Sequence, residues 1–429
     1  MNKRAVLAII ACLTISAGAA QPVSTLIRNA ERAADAGLYL EAAEYWERAG
    51  RLRESDPELL YRAAEAFARV RDYHRAADCY KVAAADPRFP LAPLRYARAL
   101  KQQSRYEEAM QVFETFAASY QGEHKAVLMG VTENELEGCR LALRLTTSRD
   151  SSQTATLLSD SLNSPENEFA PLPFSDDLLY FSRSAGARAL FLRSMRKDSR
   201  WASALLAVLP EEVSARFGAG SFTPDGMRFY YTECQGATPA QRGGSAQPLP
   251  CAVFCLRRTE DGWLPPERLP PYINLEGSTV LHPQVARAGG VEYLFFSSDR
   301  PGGFGGLDLY VSERSADSEG LDFSFPQNLG RRVNTGADEV TPYFETAAST
   351  LWFSSMGHPS LGGMDVFRTE QGESGWLPVQ NAGIPVNSAA DDYFFVPKKS
   401  GTGAFLSSNR RRNKDTAGTG DDNIWYINW

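Results

Sequence analysis

Two internal repeats of different period occupy the two halves of this chain. A repeat restricts architecture more tightly than any single motif, because each copy must bury its apolar face against its neighbours. The segments Tyr39-Leu-Glu-Ala42, Tyr73-His-Arg-Ala76 and Tyr106-Glu-Glu-Ala109 recur at offsets of 34 and 33 residues, each followed four residues later by an aromatic side chain, Trp46, Tyr80 or Phe113. Ala30, Ala64 and Ala97 precede those alanines by twelve positions, where the two helices of a pair must approach closely. Pro57 and Pro87 punctuate the pattern. The spacing predicts three helix pairs, with residues 123–145 as a seventh, capping helix.

The second repeat is built from strands. Leu179-Tyr-Phe-Ser182, Phe229-Tyr-Tyr-Thr232, Leu294-Phe-Phe-Ser297, Leu351-Trp-Phe-Ser354 and Ala404-Phe-Leu-Ser407 align, with steps of 50, 65, 57 and 53 residues between their third positions. Thr223-Pro-Asp-Gly226 is a tight hairpin signal ahead of the second core. Gly-rich loops and a further short apolar strand follow the cores, as in Leu307-Asp-Leu-Tyr-Val311 and Met364-Asp-Val-Phe367. Most units close with an Asn-containing linker and an acid: Asn163 to Glu168, Asn334 to Glu339, Asn387 to Asp392, and more weakly Asn274 to Glu276. Such units read as propeller blades of four short strands, and there are five. The last unit runs out at Trp429 after three strands. Thr154 to Ser159 is therefore expected to supply its outer strand, closing the ring and removing open sheet edges.

Composition places the border between the halves. Residues 24–145 hold 24 Ala, 5 Gly and 4 Pro, whereas residues 150–429 hold 28 Gly and 20 Pro, a change from helix formers to turn formers. The expected organisation is a signal peptide over 1–20, a helical repeat domain over 23–145, a linker over 146–153 and a propeller over 154–429.

Residues 23–121 resemble the tetratricopeptide repeat family, although Ala33 sits where the first repeat of that family carries a large side chain. The segments from Phe296 to Tyr310, Trp352 to Asp365 and Arg332 to Glu339 resemble the WD40-like propeller repeats of exported Bacteroidota proteins. The resemblance implies an N-terminal tetratricopeptide α-solenoid followed by a five-bladed WD40-like β-propeller. The whole arrangement is similar to periplasmic components of the type IX secretion system. Those proteins usually continue into an OmpA-like domain that grips peptidoglycan. No residues after the propeller supply one here, so anchoring to peptidoglycan is not implied. By the repeat family's pattern, the concave face of the helical stack carries Glu31, Tyr61, Glu65, Arg69, Arg98 and Lys101 as candidate partner-binding residues. A merely solvated face is the competing reading. The Lys and Asn set of a carboxylate-clamp stack is absent, so capture of a chain terminus is not expected.

No nucleophile elbow, His-Glu-x-x-His helix, phosphate loop or paired Cys-x-x-Cys occurs in the sequence. No catalytic residue, metal ligand or cofactor is therefore assigned. Of the four histidines, His282 and His358 fall near blade strands, where turn and surface roles outweigh a zinc site. Gly302-Gly-Phe-Gly-Gly306 lies between strands and does not open a helix, so it reads as a loop and not as a phosphate cradle. Asp308, Asp365 and Asn423 open equivalent third strands. A ring of such groups binding calcium or a basic peptide is outweighed by turn residues that hold backbone amides. Cys234 and Cys251 face each other if their segments form a hairpin, and a disulfide there would contribute about 3 kcal/mol by the loop-entropy model.

The N-terminus carries an export signal: Asn2-Lys-Arg4, the apolar stretch Ala5 to Ile15, and small residues Gly18-Ala-Ala20 before Gln21. The rival reading makes Cys12 the acylated residue of a lipoprotein. No stretch has the roughly 18 apolar residues a membrane span needs. A net charge of −7 argues against nucleic-acid binding. The expected function is a non-catalytic scaffold for envelope proteins, periplasmic or at the inner face of the outer membrane, associated there by a partner or by lipid on Cys12. The alternative is a glycan-binding or small-ligand-binding propeller, or a hydrolase built on one.

Overall fold

The computed structural model describes residues 21–147, 152–185, 188–210, 213, 217–234, 250–411 and 421–428. The signal segment and Cys12 lie outside the described residues. The helical half consists of α1 (Val23–Asp35), α2 (Tyr39–Leu52), α3 (Pro57–Arg69), α4 (Tyr73–Ala83), α5 (Ala92–Lys101), α6 (Tyr106–Ser119) and α7 (Lys125–Thr147).

Local chemistry explains where these helices begin and why they pair. Asp56 accepts from the Glu58 amide at 3.0 Å, and Pro57 sits at the first helical position, where its missing N–H has no intrahelical partner to lose. Asp72 caps α4 in the same way through the Arg75 amide at 3.2 Å. Ala30, Ala42, Ala64, Ala76, Ala97 and Ala109 are wholly buried, so paired helices touch nearly backbone to backbone. Within each pair the turn needs one left-handed residue, supplied by Gly37 (φ 76°), Arg71 (φ 62°) and Ser104 (φ 61°). Arginine holds that conformation only at a cost, so its presence at residue 71 calls for a compensating contact.

The propeller has five antiparallel sheets. Their innermost strands are Glu168–Ser175, Phe217–Phe222, Val280–Ala288, Glu339–Glu345 and Asp392–Pro397. In the fifth sheet Thr154–Leu157 pairs antiparallel with Asn423–Asn428, so the outer strand of the last blade comes from ahead of the first. Cys234 and Cys251 are paired in a disulfide across the second blade's hairpin.

Two recurrent devices hold the ring. Asn163, Asn274, Asn334 and Asn387 are buried, and each side chain both accepts from and donates to one backbone residue of a third strand. Asn334 accepts from the Leu309 amide at 2.8 Å and donates to the Leu309 carbonyl at 3.0 Å; Asn387 does the same to Val366, at 2.8 Å for both bonds. The amide thus imitates one step of an additional strand. Asn334→Ala leaves both Leu309 groups buried without these partners, and a loss of roughly 2–4 kcal/mol is expected in chemical denaturation, whereas alanine at exposed Glu313 is expected to change little.

The second device was not legible in the sequence. Every innermost strand is bulged, with register breaks at Phe169/Leu172, Phe217/Gly220, Leu281/Gln284, Val340/Tyr343 and Tyr393/Val396. Ala170, His282, Thr341 and Phe394 are left-handed there, with φ between 52° and 54°. Their amides, turned out of their own ladders, donate to a neighbouring blade: Ala170 to Ser407 Oγ at 3.1 Å, His282 to Thr232 Oγ1 at 3.2 Å, and Phe394 to Thr341 Oγ1 at 3.3 Å. The Thr341 amide donates to His282 Nδ1 at 3.4 Å. At four of the five bulges the strain of the left-handed residue is offset by a bond that joins blades.

Candidate interaction groove

The concave face of the helical stack is an open groove of about 750 Å³. Its floor is aromatic. Tyr61 stacks on Phe89 with centroids 4.7 Å apart and meets Tyr80 edge-on at 6.0 Å. The Arg69 guanidinium lies 4.0 Å over the Tyr39 ring, and Arg95 sits over Tyr61 at 5.6 Å while pairing with Glu65. Burial, reinforced by the Glu65 carboxylate, pushes the Tyr61 and Tyr80 hydroxyls above the usual tyrosine range, so both stay neutral hydrogen-bonding groups.

The structure brings together Tyr61, Glu65, Arg69 and Arg98 among the six candidates. Glu31 is exposed on α1 and pairs with Arg62 at 3.8 Å; it does not line the groove. Arg98 lines it and bonds Glu135 at 2.7 Å.

Lys101 is a correction. It is 1% exposed, and its ammonium donates to Glu135 Oε2 at 2.6 Å and to Ser360 Oγ at 2.9 Å. The last turn of α5 is covered by α7 and by the loop of the fourth blade, so the helical pattern that pointed Lys101 at a groove pointed it into an interface. The same surface holds Gly138 of α7, where a Cβ would overlap the Ser360 carbonyl oxygen. Asn134 donates to the Gly357 carbonyl at 2.8 Å. Leu361 is buried with Phe113, Leu136 and Cys139 in one apolar core shared by helices and propeller.

Arg71 completes this joint and accounts for its strained backbone. From the α3–α4 turn it bonds Asp422 at 2.7 Å and approaches Asp391 at 3.3 Å. Burial raises the Asp391 pKa while Arg71 lowers it, with a net rise. The sequence held one signal for this residue, an arginine where the first repeat has Gly37.

The propeller's own candidates are absorbed by its fold. Asp308 accepts from the Phe304 and Gly305 amides at 2.7 and 3.2 Å, and Asp365 accepts from Leu361 and Gly362 at 2.7 and 3.3 Å. Each carboxylate thus organises a Gly-rich loop, and burial pushes Asp365 up to about 7. The linker acids act alike: Glu339 accepts from Thr335 and Ser355, and Asp392 from Ser388 and Arg410. A cavity of only about 50 Å³ is lined by residues of all five innermost strands, among them Pro171, His282, Tyr343 and Phe394. Burial there lowers His282 to about 4, so its ring is neutral. His358 bonds the Val333 carbonyl at 2.9 Å and packs on Phe353 and Phe367. Among the described residues no group of three or more His, Cys, Asp or Glu is placed to hold a metal ion. Burial pushes the Cys79 and Cys255 thiols up to about 12, leaving them unreactive.

No family model matches the chain, and no curated protein matches it. Solved structures resemble the propeller distantly. An α-L-arabinofuranosidase from Podospora anserina is 11% identical with a TM-score of 0.41, covering 65% of this chain and 96% of that one. An α-L-arabinofuranosidase from Lactobacillus brevis is 13% identical with a TM-score of 0.40, covering 64% and 95%. A B. subtilis levansucrase is 10% identical with a TM-score of 0.44, covering 68% and 91%.

Proposed function

We propose that this chain is a non-catalytic scaffold of the bacterial envelope that gathers other proteins, with the helical groove as its main docking surface. The observation that carries this reading is a contrast within the molecule. The groove is open, aromatic and lined by cations, while the propeller's recurrent acids and amides are occupied by backbone groups and the cavity lined by its inner strands is only about 50 Å³. Polar groups already engaged in holding turns are poorly available for chemistry. The apparent export signal and the similarity of its repeats to those of exported Bacteroidota proteins support a periplasmic or outer-membrane-associated place, within a type IX secretion complex or a related assembly.

Photo-crosslinking in the native host tests the reading. A photoreactive phenylalanine analogue replacing Tyr61 is expected to give discrete protein adducts in the envelope fraction, and the same analogue at exposed Glu107 on α6 is not. Equal labelling from both positions, or a purified chain that hydrolyses a glycoside, overturns it.

A further inference from the structure

The groove does not end with the helices. A second cleft of about 480 Å³ opens between the stack and the propeller, and it shares two lining residues, Tyr73 and Gln102, with the groove. Gln102 is also a point of contact between the two halves. With its amide oriented to satisfy both neighbours, it donates to the Ala389 carbonyl at 2.6 Å and accepts from the Gly363 amide at 3.0 Å. The far wall of the cleft is propeller, formed by Ser388 to Ala390 and Asn409 to Arg411. Surfaces that meet at common side chains and are pinned together by Arg71 and Lys101 present themselves to a ligand as one.

The charged residues that line this path are mostly arginines, and most of them are met by carboxylates that lie just behind the lining. Arg62, Arg69, Arg95 and Arg98 line the groove against a single carboxylate, Glu65. Arg71, Arg410 and Arg411 line the cleft, with no carboxylate among its lining residues. Five of these cations are engaged, Arg62 by Glu31 and Glu58, Arg71 by Asp391 and Asp422, Arg410 by Asp392, Arg95 by Glu65 and Arg98 by Glu135. Among the described residues neither Arg69 nor Arg411 has a carboxylate within ion-pair distance, and both are exposed. The chain as a whole carries −7, so two exposed arginines without such partners, one in the groove and one in the cleft, stand against the average of its surface.

We propose that groove and cleft form one binding track for an extended, acidic segment of a partner protein, gripped at one end by the helices and at the other by the propeller. This rests on the reading of the groove as a docking surface and adds the partner's chemistry and the propeller's share of it. Aromatic rings along the groove suit alternate side chains of an extended peptide, and the arginines suit carboxylates between them. A ligand that spans both halves gains from their fixed relative placement, because the entropy of orienting them is already spent in folding.

The test is an array of twelve-residue peptides, half with Glu or Asp at alternate positions and half with Lys or Arg there, probed with the full mature chain. Signal is expected on the acidic half and is expected to fall as NaCl is raised. Arg69→Glu, in the groove, and Arg411→Glu, in the cleft, are each expected to lower it at least fivefold, with unchanged melting temperatures showing that both variants fold. If Arg69→Glu acts and Arg411→Glu does not, the track is overturned while the groove stands as a docking surface. If basic peptides bind instead, the assigned partner chemistry is wrong. If no peptide on either half gives signal while the photoreactive analogue at Tyr61 still yields protein adducts, the track is overturned and the groove stands; if both are silent, the groove reading fails as well.

Discussion

Deleting residues 423–429 is expected to abolish cooperative unfolding of the whole propeller, not merely of its last blade. The strand Asn423–Asn428 lies inside its sheet, paired on one side with Gly403–Ser408 and on the other with Thr154–Leu157. Its loss unpairs the N-terminal strand and exposes two sheet edges at once. It also removes Ile424 and Ile427, each wholly buried, and nearly buried Trp425. Large-to-small changes at single sites of this kind cost about 2–5 kcal/mol each, so the three together are comparable to the roughly 5–15 kcal/mol by which a domain is stable, before the two unpaired edges are added. Asn163 loses its bridge as well, because both of its strand bonds go to Ile424. Differential scanning calorimetry of the truncated chain should show no propeller transition. A retained transition at a slightly lower temperature would mean that the ring is closed by something other than this strand.

The second large effect is expected at Lys101. Its removal leaves Glu135 in the joint with only Arg98, whose own side chain is about half exposed at 47%. Breaking one partner of a buried pair costs about 3–5 kcal/mol, whereas replacing both by apolar groups of similar volume is often neutral. Lys101→Met is therefore expected to be strongly destabilising, and Lys101→Met with Glu135→Leu to recover most of the loss. Hydrogen exchange over residues 357–363 reads the propeller side of the joint and should rise in the single variant. If the double variant is as unstable as the single one, the charge pair is not what the joint depends on.

The same pair sets a pH dependence. Burial opposes the Glu135 carboxylate, but Lys101 and Arg98 more than offset it, and the net pKa lies below the ordinary glutamate value. A depressed acid binds fewer protons folded than unfolded. Its contribution is complete above the unfolded glutamate pKa of about 4.3 and is lost as pH falls through the lower folded value. Acid destabilisation below about pH 4 should accordingly be shallower in the double variant than in the natural chain.

The relation between pattern and position differs between the two halves. Tyr39, Tyr73 and Tyr106 each open the second helix of a pair, and the alanines at fixed spacing from them are buried, because helix pairing is a short-range matter repeated three times. Asp308 and Asp365 likewise hold amides three and four residues away, within reach of a local reading. The bulge amides were hidden because each bonds a residue in another blade, and nothing in a strand's own alternation marks which residue will turn left-handed. Lys101 was misplaced because its partner Ser360 lies 259 residues away. Arg71 reaches Asp422 across 351 residues.

By itself the sequence determined the architecture: a stack of helix pairs, then a ring of five blades. Both follow from apolar spacing that repeats along the chain and from turns closed by nearby side chains. Only the tertiary structure decided that the stack is fixed against the fourth and fifth blades and that its groove runs on into a cleft walled by propeller. Those features depend on which surfaces remain apolar or unpaired once each half has folded, and a one-dimensional period carries no record of how two finished surfaces meet.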